Sequence, residues 1–152
     1  MNTVELKSEL HRQCRGKIHD RYLKIKKTIA DIAEALLGET KSSSGDKHET
    51  GRAMLQIERE NAGRQLLEVE KIQAILNKID VHTISDHAHL GSIVYTNNAV
   101  YFLSISIGKV SVNKIDYLCV SLSSPIGQLL MGKKKGDTFN FNEKEFKISS
   151  IR

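Results

Sequence analysis

The sequence predicts an α+β protein: a long antiparallel coiled-coil hairpin over residues 1–80, then a small α+β domain with an antiparallel sheet over 81–152. Three observations carry this. From Leu6 to Leu36 an apolar residue recurs every three or four positions. A polar turn and a second helical pattern follow. Beyond residue 80 the chain changes to short runs of β-branched and aromatic residues separated by turn formers.

The first stripe is Leu6, Leu10, Cys14, Ile18, Tyr22, Ile25, Ile29, Ile32 and Leu36, interrupted only by Gly16. Charged residues fill the remaining positions, as on a solvated outer face. From Leu6 to Leu36 the helix would measure ~45 Å at ~1.5 Å per residue, too long to pack within a small globule. Gly38 is placed to end it, and Glu39–Asp46 is a polar turn with three serines. The second stripe reads Met54, Ile57, Ala62, Leu66, Val69, Ile72, Leu76 and Ile79, less regular near Asn61, Gly63 and Arg64. Two such helices joined by a short loop bury each other's seams. Asp80–Gly91 is a connector. Ser92–Thr96 and Ala99–Ile107 flank Asn97-Asn98 as a tight hairpin, because Asn tolerates positive φ. Ile115–Ser121 alternates as a strand. Ser124 suits the cap of a short helix, Pro125 its first position and Gly132 its exit. Phe139–Phe141 and Phe146–Ile151 close as a hairpin around Asn142-Glu143-Lys144.

Composition narrows the function classes. Aromatic residues make up 5% of the chain, with no Trp, which argues against a large ligand cavity. The net charge of +5 is spread, with 15 basic and 13 acidic residues up to residue 80 and 8 and 5 beyond it. A solvated surface accounts for that, and weak affinity for nucleic-acid-containing partners is allowed. Cys14 and Cys119 form no Cys-x-x-Cys pair and fit buried, unpaired thiols in a reducing compartment. The first residues lack the apolar core of a signal peptide, and no stretch is apolar enough to span a bilayer. A cytoplasmic protein without membrane contact is expected.

Four constellations could carry chemistry. Asp46 and Glu49 have the spacing of a capping box, and equally that of two carboxylates sharing a divalent cation at a helix tip. Gly127–Lys134 nearly matches a phosphate-binding loop, but Lys134 stands where Ser or Thr must hold Mg²⁺, and the glycine ends a helix instead of opening one. His82, Asp86, His87 and His89 are read as a polar linker, since no Cys and no second cluster accompany them. Lys133-Lys134-Lys135 before Gly136-Asp137 is a solvated turn or a weak acidic-partner contact. No Ser-His-Asp arrangement stands out.

Ser124-Pro125-Ile126, Leu130, Gly132-Lys133 and Gly136-Asp137 before a closing hairpin resemble the Gre family of bacterial transcript cleavage factors. So does Ile29-Ala30-Asp31-Ile32-Ala33-Glu34-Ala35 leading to Gly45-Asp46 and Glu49. The resemblance implies a coiled coil followed by an FKBP-like domain. It implies docking on RNA polymerase at the secondary channel through Ser124, Pro125, Ile126, Gly132, Lys133, Gly136 and Asp137. Asp46 and Glu49 would be the catalytic and metal-binding acids, helping to hold a Mg²⁺ shared with the polymerase. The chain would then be a monomeric accessory factor, not an enzyme, with no cofactor of its own. It would work beside the nascent RNA 3′ end and DNA of the elongation complex. The tip departs from the family's Leu-Ser-Glu-Asn after the Asp: here it reads Lys47-His48-Glu49-Thr50, after a longer loop with Ser42-Ser43-Ser44. Lys47 sets a cation beside the acids, which opposes metal binding. The alternatives are therefore a channel-binding regulator without cleavage, or a coiled-coil interaction module. An FKBP-like prolyl isomerase is disfavoured by the few aromatics.

Overall fold

The computed structural model describes residues 1–40 and 45–152, and of Thr40 and residues 45–48 the backbone alone. Two long helices, α1 (Thr3–Thr40) and α2 (Gly45–Asn77), precede six strands and one short helix. The strands are β1 (Ile93–Thr96), β2 (Val100–Ser104), β3 (Gly108–Val112), β4 (Ile115–Ser121), β5 (Thr138–Phe141) and β6 (Lys144–Ile151), with α3 (Pro125–Leu130) after β4. Packing gathers the chain into two compact units, residues 18–73 and residues 1–17 with 74–152.

Residues 18–73 form an antiparallel helix pair. Ile18, Ile25 and Ile32 are buried on α1, with Tyr22, Ile29 and Leu36 half-buried, so the first stripe is the seam. Ala62 and Val69 are buried opposite. Arg21, Lys24, Ile25 and Thr28 line one groove with Gln65, Glu68, Val69 and Ile72, and the Arg52 guanidinium donates to the Leu36 carbonyl at 3.4 Å. The seam of α2 is phased differently from the sequence pattern at its start. Met54 and Ile57 are 60% and 58% exposed, and Leu55 is half-buried instead. Leu55, Ala62 and Val69 keep the seven-residue step that matches the seam of α1. The helices also reach further than the turn signals indicate. Gly38 lies inside α1, and α2 begins at Gly45, so Asp46 falls in its first turn.

The second unit is built on a six-stranded sheet in the order β3-β4-β2-β1-β6-β5. The sheet is mixed, not antiparallel throughout. β2 and β4 run parallel, with Phe102 opposite Cys119, because β3 turns back along the edge and β4 enters between it and β2. β3 escaped the sequence pattern. Only Val110 and Val112 are buried in it, and its turn is Asn113-Lys114, both at positive φ. Asn142-Glu143 makes the same left-handed turn between β5 and β6. The β1–β2 turn forms at Asn97-Asn98 without positive φ. These asparagines instead bind the neighbouring strand: both side-chain amides donate to the Glu145 carbonyl, and the Asn97 side-chain oxygen accepts from the Lys147 amide at 2.8 Å.

Both faces of the sheet are covered, which is why Tyr101 to Ser104 are all buried in β2. Tyr101 and Leu103 join Val94, Phe146 and Ile148 on one face, under Ile126 and Leu130 of α3. On the other face the Cys14 sulfur lies 3.7 Å from that of Cys119 and 3.9 Å from the Ser104 hydroxyl, bringing buried Leu10 and Cys14 of α1 to the sheet. An Asn2–Glu5 capping box starts α1: the Asn2 side chain accepts from the Glu5 amide at 2.8 Å, and the Glu5 carboxylate accepts from the Asn2 amide at 3.3 Å. The outer edge of β3 meets α1 too. Gln13 donates to the Ser111 carbonyl at 3.3 Å, and Lys17 reaches the Lys109 carbonyl at 3.5 Å. Lys7 is fully buried, with its ammonium donating to the Thr83 carbonyl at 2.9 Å. Burial pulls its pKa below the usual 10.5, partly opposed by the Asp80 carboxylate.

Two stability predictions follow from this packing. A Cβ at Gly127 would overlap the Ser121 carbonyl oxygen. Gly127→Ala should cost about 2 kcal/mol or more in urea unfolding, whereas Gly16→Ala, with open space around it, should gain about 0.5–1 kcal/mol. For Lys7, the folded pKa lies below the unfolded one. Between the two values the unfolded chain binds more protons, so this residue's contribution becomes more favourable as pH rises toward 10.5. The stability of wild type relative to Lys7→Met should therefore increase over that window. A pH-independent difference would contradict the assignment.

Candidate functional site

Two places hold the residues singled out by sequence, and they lie in different units. In residues 18–73 the tip acids stand at the turn end of the helix pair. Glu49 is exposed near the start of α2. Asp46 is three positions earlier, in the first turn, and three positions on a helix share a face. The Asp46 side chain lies outside the described residues, as do those of Lys47 and His48. So the choice between a cap and an outward carboxylate falls there. Nearby, Gly51 is held against the Glu39 carboxylate, where a Cβ would meet it at 3.0 Å. Among the described residues no group of three or more His, Cys, Asp or Glu gathers as a metal site.

In the second unit, Ser124 to Asp137 form one wrapped segment. The Ser124 hydroxyl donates to the Ser121 carbonyl at 2.7 Å and accepts from the Gly127 amide at 3.1 Å, capping α3. Pro125 takes the first helical position and stays exposed, while Ile126 and Leu130 enter the core. Gly132 turns the chain at φ +81, and its amide donates to the Ala88 carbonyl at 2.8 Å. The Ala88 amide returns a bond to the Lys133 carbonyl at 2.8 Å, so this loop is sewn to the connector. Lys133 extends over the Phe139 ring, 5.9 Å from its centroid. Gly136, at φ +92, donates to the Ile148 carbonyl. The Asp137 carboxylate accepts from the Lys134 amide at 2.9 Å, closing the turn.

Each residue type in the motif thus has an internal reason for its position. Ser124, Gly132, Gly136 and Asp137 shape the loop, and Ile126 anchors it. Pro125, Gln128, Met131, Lys134 and Lys135 are exposed around it. Gly127 was missed as a key residue. Its close approach to Ser121 fixes how tightly α3 leaves β4, and only the Ser-Pro-x-Gly spacing hints at this. The phosphate-loop resemblance fails on geometry, since Gly127 to Leu130 is helical.

The histidines of the connector do not converge on one point. His87 pairs with Asp86 at 2.6 Å, a bond that holds the Asp86 carboxyl below its usual range. His89 instead faces the Ser92 hydroxyl at 2.8 Å. The Asp80 carboxyl is likewise held low, chiefly by the His82 amide that donates to it at 2.9 Å.

No family model matches the chain, and no curated protein matches it. A solved structure of the transcription factor Gfh1 is similar at 17% identity, over 90% of this chain and 91% of that one, with a TM-score of 0.34.

The cap gives a direct test. Ser124→Ala should lower stability by about 1 kcal/mol, and Ser124→Asp, which keeps an acceptor for the Gly127 amide, should recover part of it. Equal losses in both would mean that the hydroxyl's bond to Ser121 is the larger effect.

Proposed function

We propose that this chain is a transcription elongation factor that binds RNA polymerase at its secondary channel and stimulates cleavage of backtracked transcripts. The observation that supports it best is the placement of Asp46 and Glu49 one helical turn apart, beside the turn of an antiparallel helix pair. The described part of α1 in that pair, residues 18–40, is ~35 Å long at ~1.5 Å per residue. A slender two-helix probe of that length suits a channel too narrow for a globular domain. The sequence resemblance of the tip and of the Ser124–Asp137 segment to the Gre family supports the same reading.

The donor set fits a magnesium ion held jointly with a partner. Mg²⁺ binds through one or two carboxylates and keeps several waters, and Asp46 and Glu49 would be those two. When bound there, the ion would supply activation of water and neutralisation of charge in phosphodiester cleavage. The chain's part is to bring acids to the nascent RNA 3′ end, while the polymerase owns the rest of the site. It acts as a cytoplasmic, monomeric accessory factor, docked through the exposed surface around Pro125 and Lys134-Lys135. The described helices include none long and apolar enough to cross a membrane.

A second reading is favoured by Lys47, which stands between the two acids in sequence. Its ammonium opposes cation binding, so the chain would occupy the channel without promoting cleavage.

Transcript cleavage in backtracked elongation complexes, across a Mg²⁺ series, separates the readings. Wild type should stimulate cleavage, and Asp46→Ala or Glu49→Ala should reduce stimulation roughly tenfold, equivalent to about 1.4 kcal/mol of barrier, without loss of binding. Lys47→Leu should shift the Mg²⁺ requirement downward. Binding without stimulation in wild type would establish the regulator, and no binding would leave a helical-hairpin interaction protein.

A further inference from the structure

The strongest unassigned chemistry is inside the second unit. Cys14 and Cys119 are separated by 105 positions, yet their sulfurs are 3.7 Å apart, and they are 0% and 1% exposed. Nothing in the proposed function uses them. Ser104 is the third polar group, its hydroxyl 3.9 Å from the Cys14 sulfur.

We propose that Cys14 and Cys119 are a thiol-oxidation site, which a hydroperoxide converts to an intramolecular disulfide that staples α1 to β4. The sulfurs need only close from 3.7 Å to about 2.0 Å. The pair is also electronically unequal. Loss of a proton from Cys14 is eased, first by the hydrogen bond with Cys119, then by Ser104 and the Lys17 ammonium, against the cost of burial. Cys119 is pushed upward, first by its bond with Cys14 and then by burial. Proton loss is therefore favoured at Cys14 over Cys119.

The Ser104 hydroxyl, 3.9 Å from the Cys14 sulfur, supports the same order of roles. The Cys14 thiolate attacks the hydroperoxide, its sulfur taking one oxygen as sulfenic acid while the O–O bond breaks; with hydrogen peroxide, the leaving hydroxide takes up the proton lost from Cys14 as water. The Cys119 sulfur then attacks the Cys14 sulfur. The S–S bond forms, the S–O bond breaks, and the departing hydroxide takes the Cys119 proton as a second water. Two thiols lose two electrons and the peroxide gains them. Burial makes the site selective, since the oxidant enters through local opening and a second protein's thiol cannot follow. A reducing compartment returns the pair to thiols, so the staple would be transient.

The test uses the full reduced chain exposed to hydrogen peroxide. Intact mass should fall by two hydrogens, and a non-reducing peptide map should show Cys14 joined to Cys119. Tm should rise by about 5 °C or more and return with dithiothreitol. Cys119→Ser should stop at an oxidised Cys14. Cys14→Ser should slow the reaction of Cys119 at least about tenfold. If either variant fails to fold, the wild-type peptide map decides alone. Three outcomes overturn the proposal: sulfinate or sulfonate without the disulfide, disulfides only between chains, or unreactive native thiols while the urea-unfolded chain oxidises.

Discussion

The structure of the second unit depends on burying both faces of one sheet. Four consecutive residues of β2 are buried, so two separate covers are required. α3 supplies one and the first turns of α1 supply the other. Cys14 of α1 meets the sheet at Cys119 and Ser104, Gln13 and Lys17 meet the edge of β3, and further polar side chains of α1 hold the connector and the end of α2. Lys7 reaches Thr83, His11 reaches the Leu76 carbonyl at 2.8 Å, and Arg15 donates to Asn77 at 2.8 Å. A helix that covers a sheet this way cannot be trimmed from its N-terminus without exposing apolar surface worth about 25 cal/mol per Å².

The Ser124–Asp137 segment shows how a loop becomes rigid without a core of its own. Two glycines at positive φ, one capping serine and one turn-closing aspartate each satisfy backbone groups that would otherwise need water. Rigidity of this kind lowers the ordering cost when the loop meets a partner. Here Ser124 and Asp137 are engaged by the loop's own backbone, while Pro125 is exposed beside Gln128, Met131, Lys134 and Lys135.

Much of this was legible in the sequence, and the exceptions have physical causes. The seam of α1 was legible from Ile18 to Leu36, because one apolar side chain per three or four positions leaves a single buried face, whereas Cys14 of the same stripe meets the sheet instead. The start of α2 was misphased because Met54 and Ile57 are apolar residues in exposed positions, and hydrophobicity alone does not say which neighbour faces the partner. The caps and turns of α3 and the β5–β6 hairpin were visible in their Ser-Pro, Gly and Asn signatures. β3 was hidden, since an edge strand buries only one face and carries polar residues on the other. The Asn97-Asn98 turn was correctly located for the wrong reason: its asparagines act as bridges to β6 rather than as left-handed residues. At the candidate site, the Asp46–Glu49 spacing was legible, whereas the contact between Cys14 and Cys119 was not, since no local pattern reports a pairing across 105 positions.

The guarded edge of β3 has a consequence for how copies of this domain behave when crowded. A sheet edge is a template for a foreign strand, and at β3 the Gln13 and Lys17 side chains already occupy the Ser111 and Lys109 carbonyls. β5 is the opposite margin. It is four residues long, with half-buried Phe139 and Phe141 alternating with polar neighbours. The two margins are therefore unequal. Strand-to-strand growth started at β5 would find no second open margin at β3 on which to continue, so the domain favours chain termination over fibre formation.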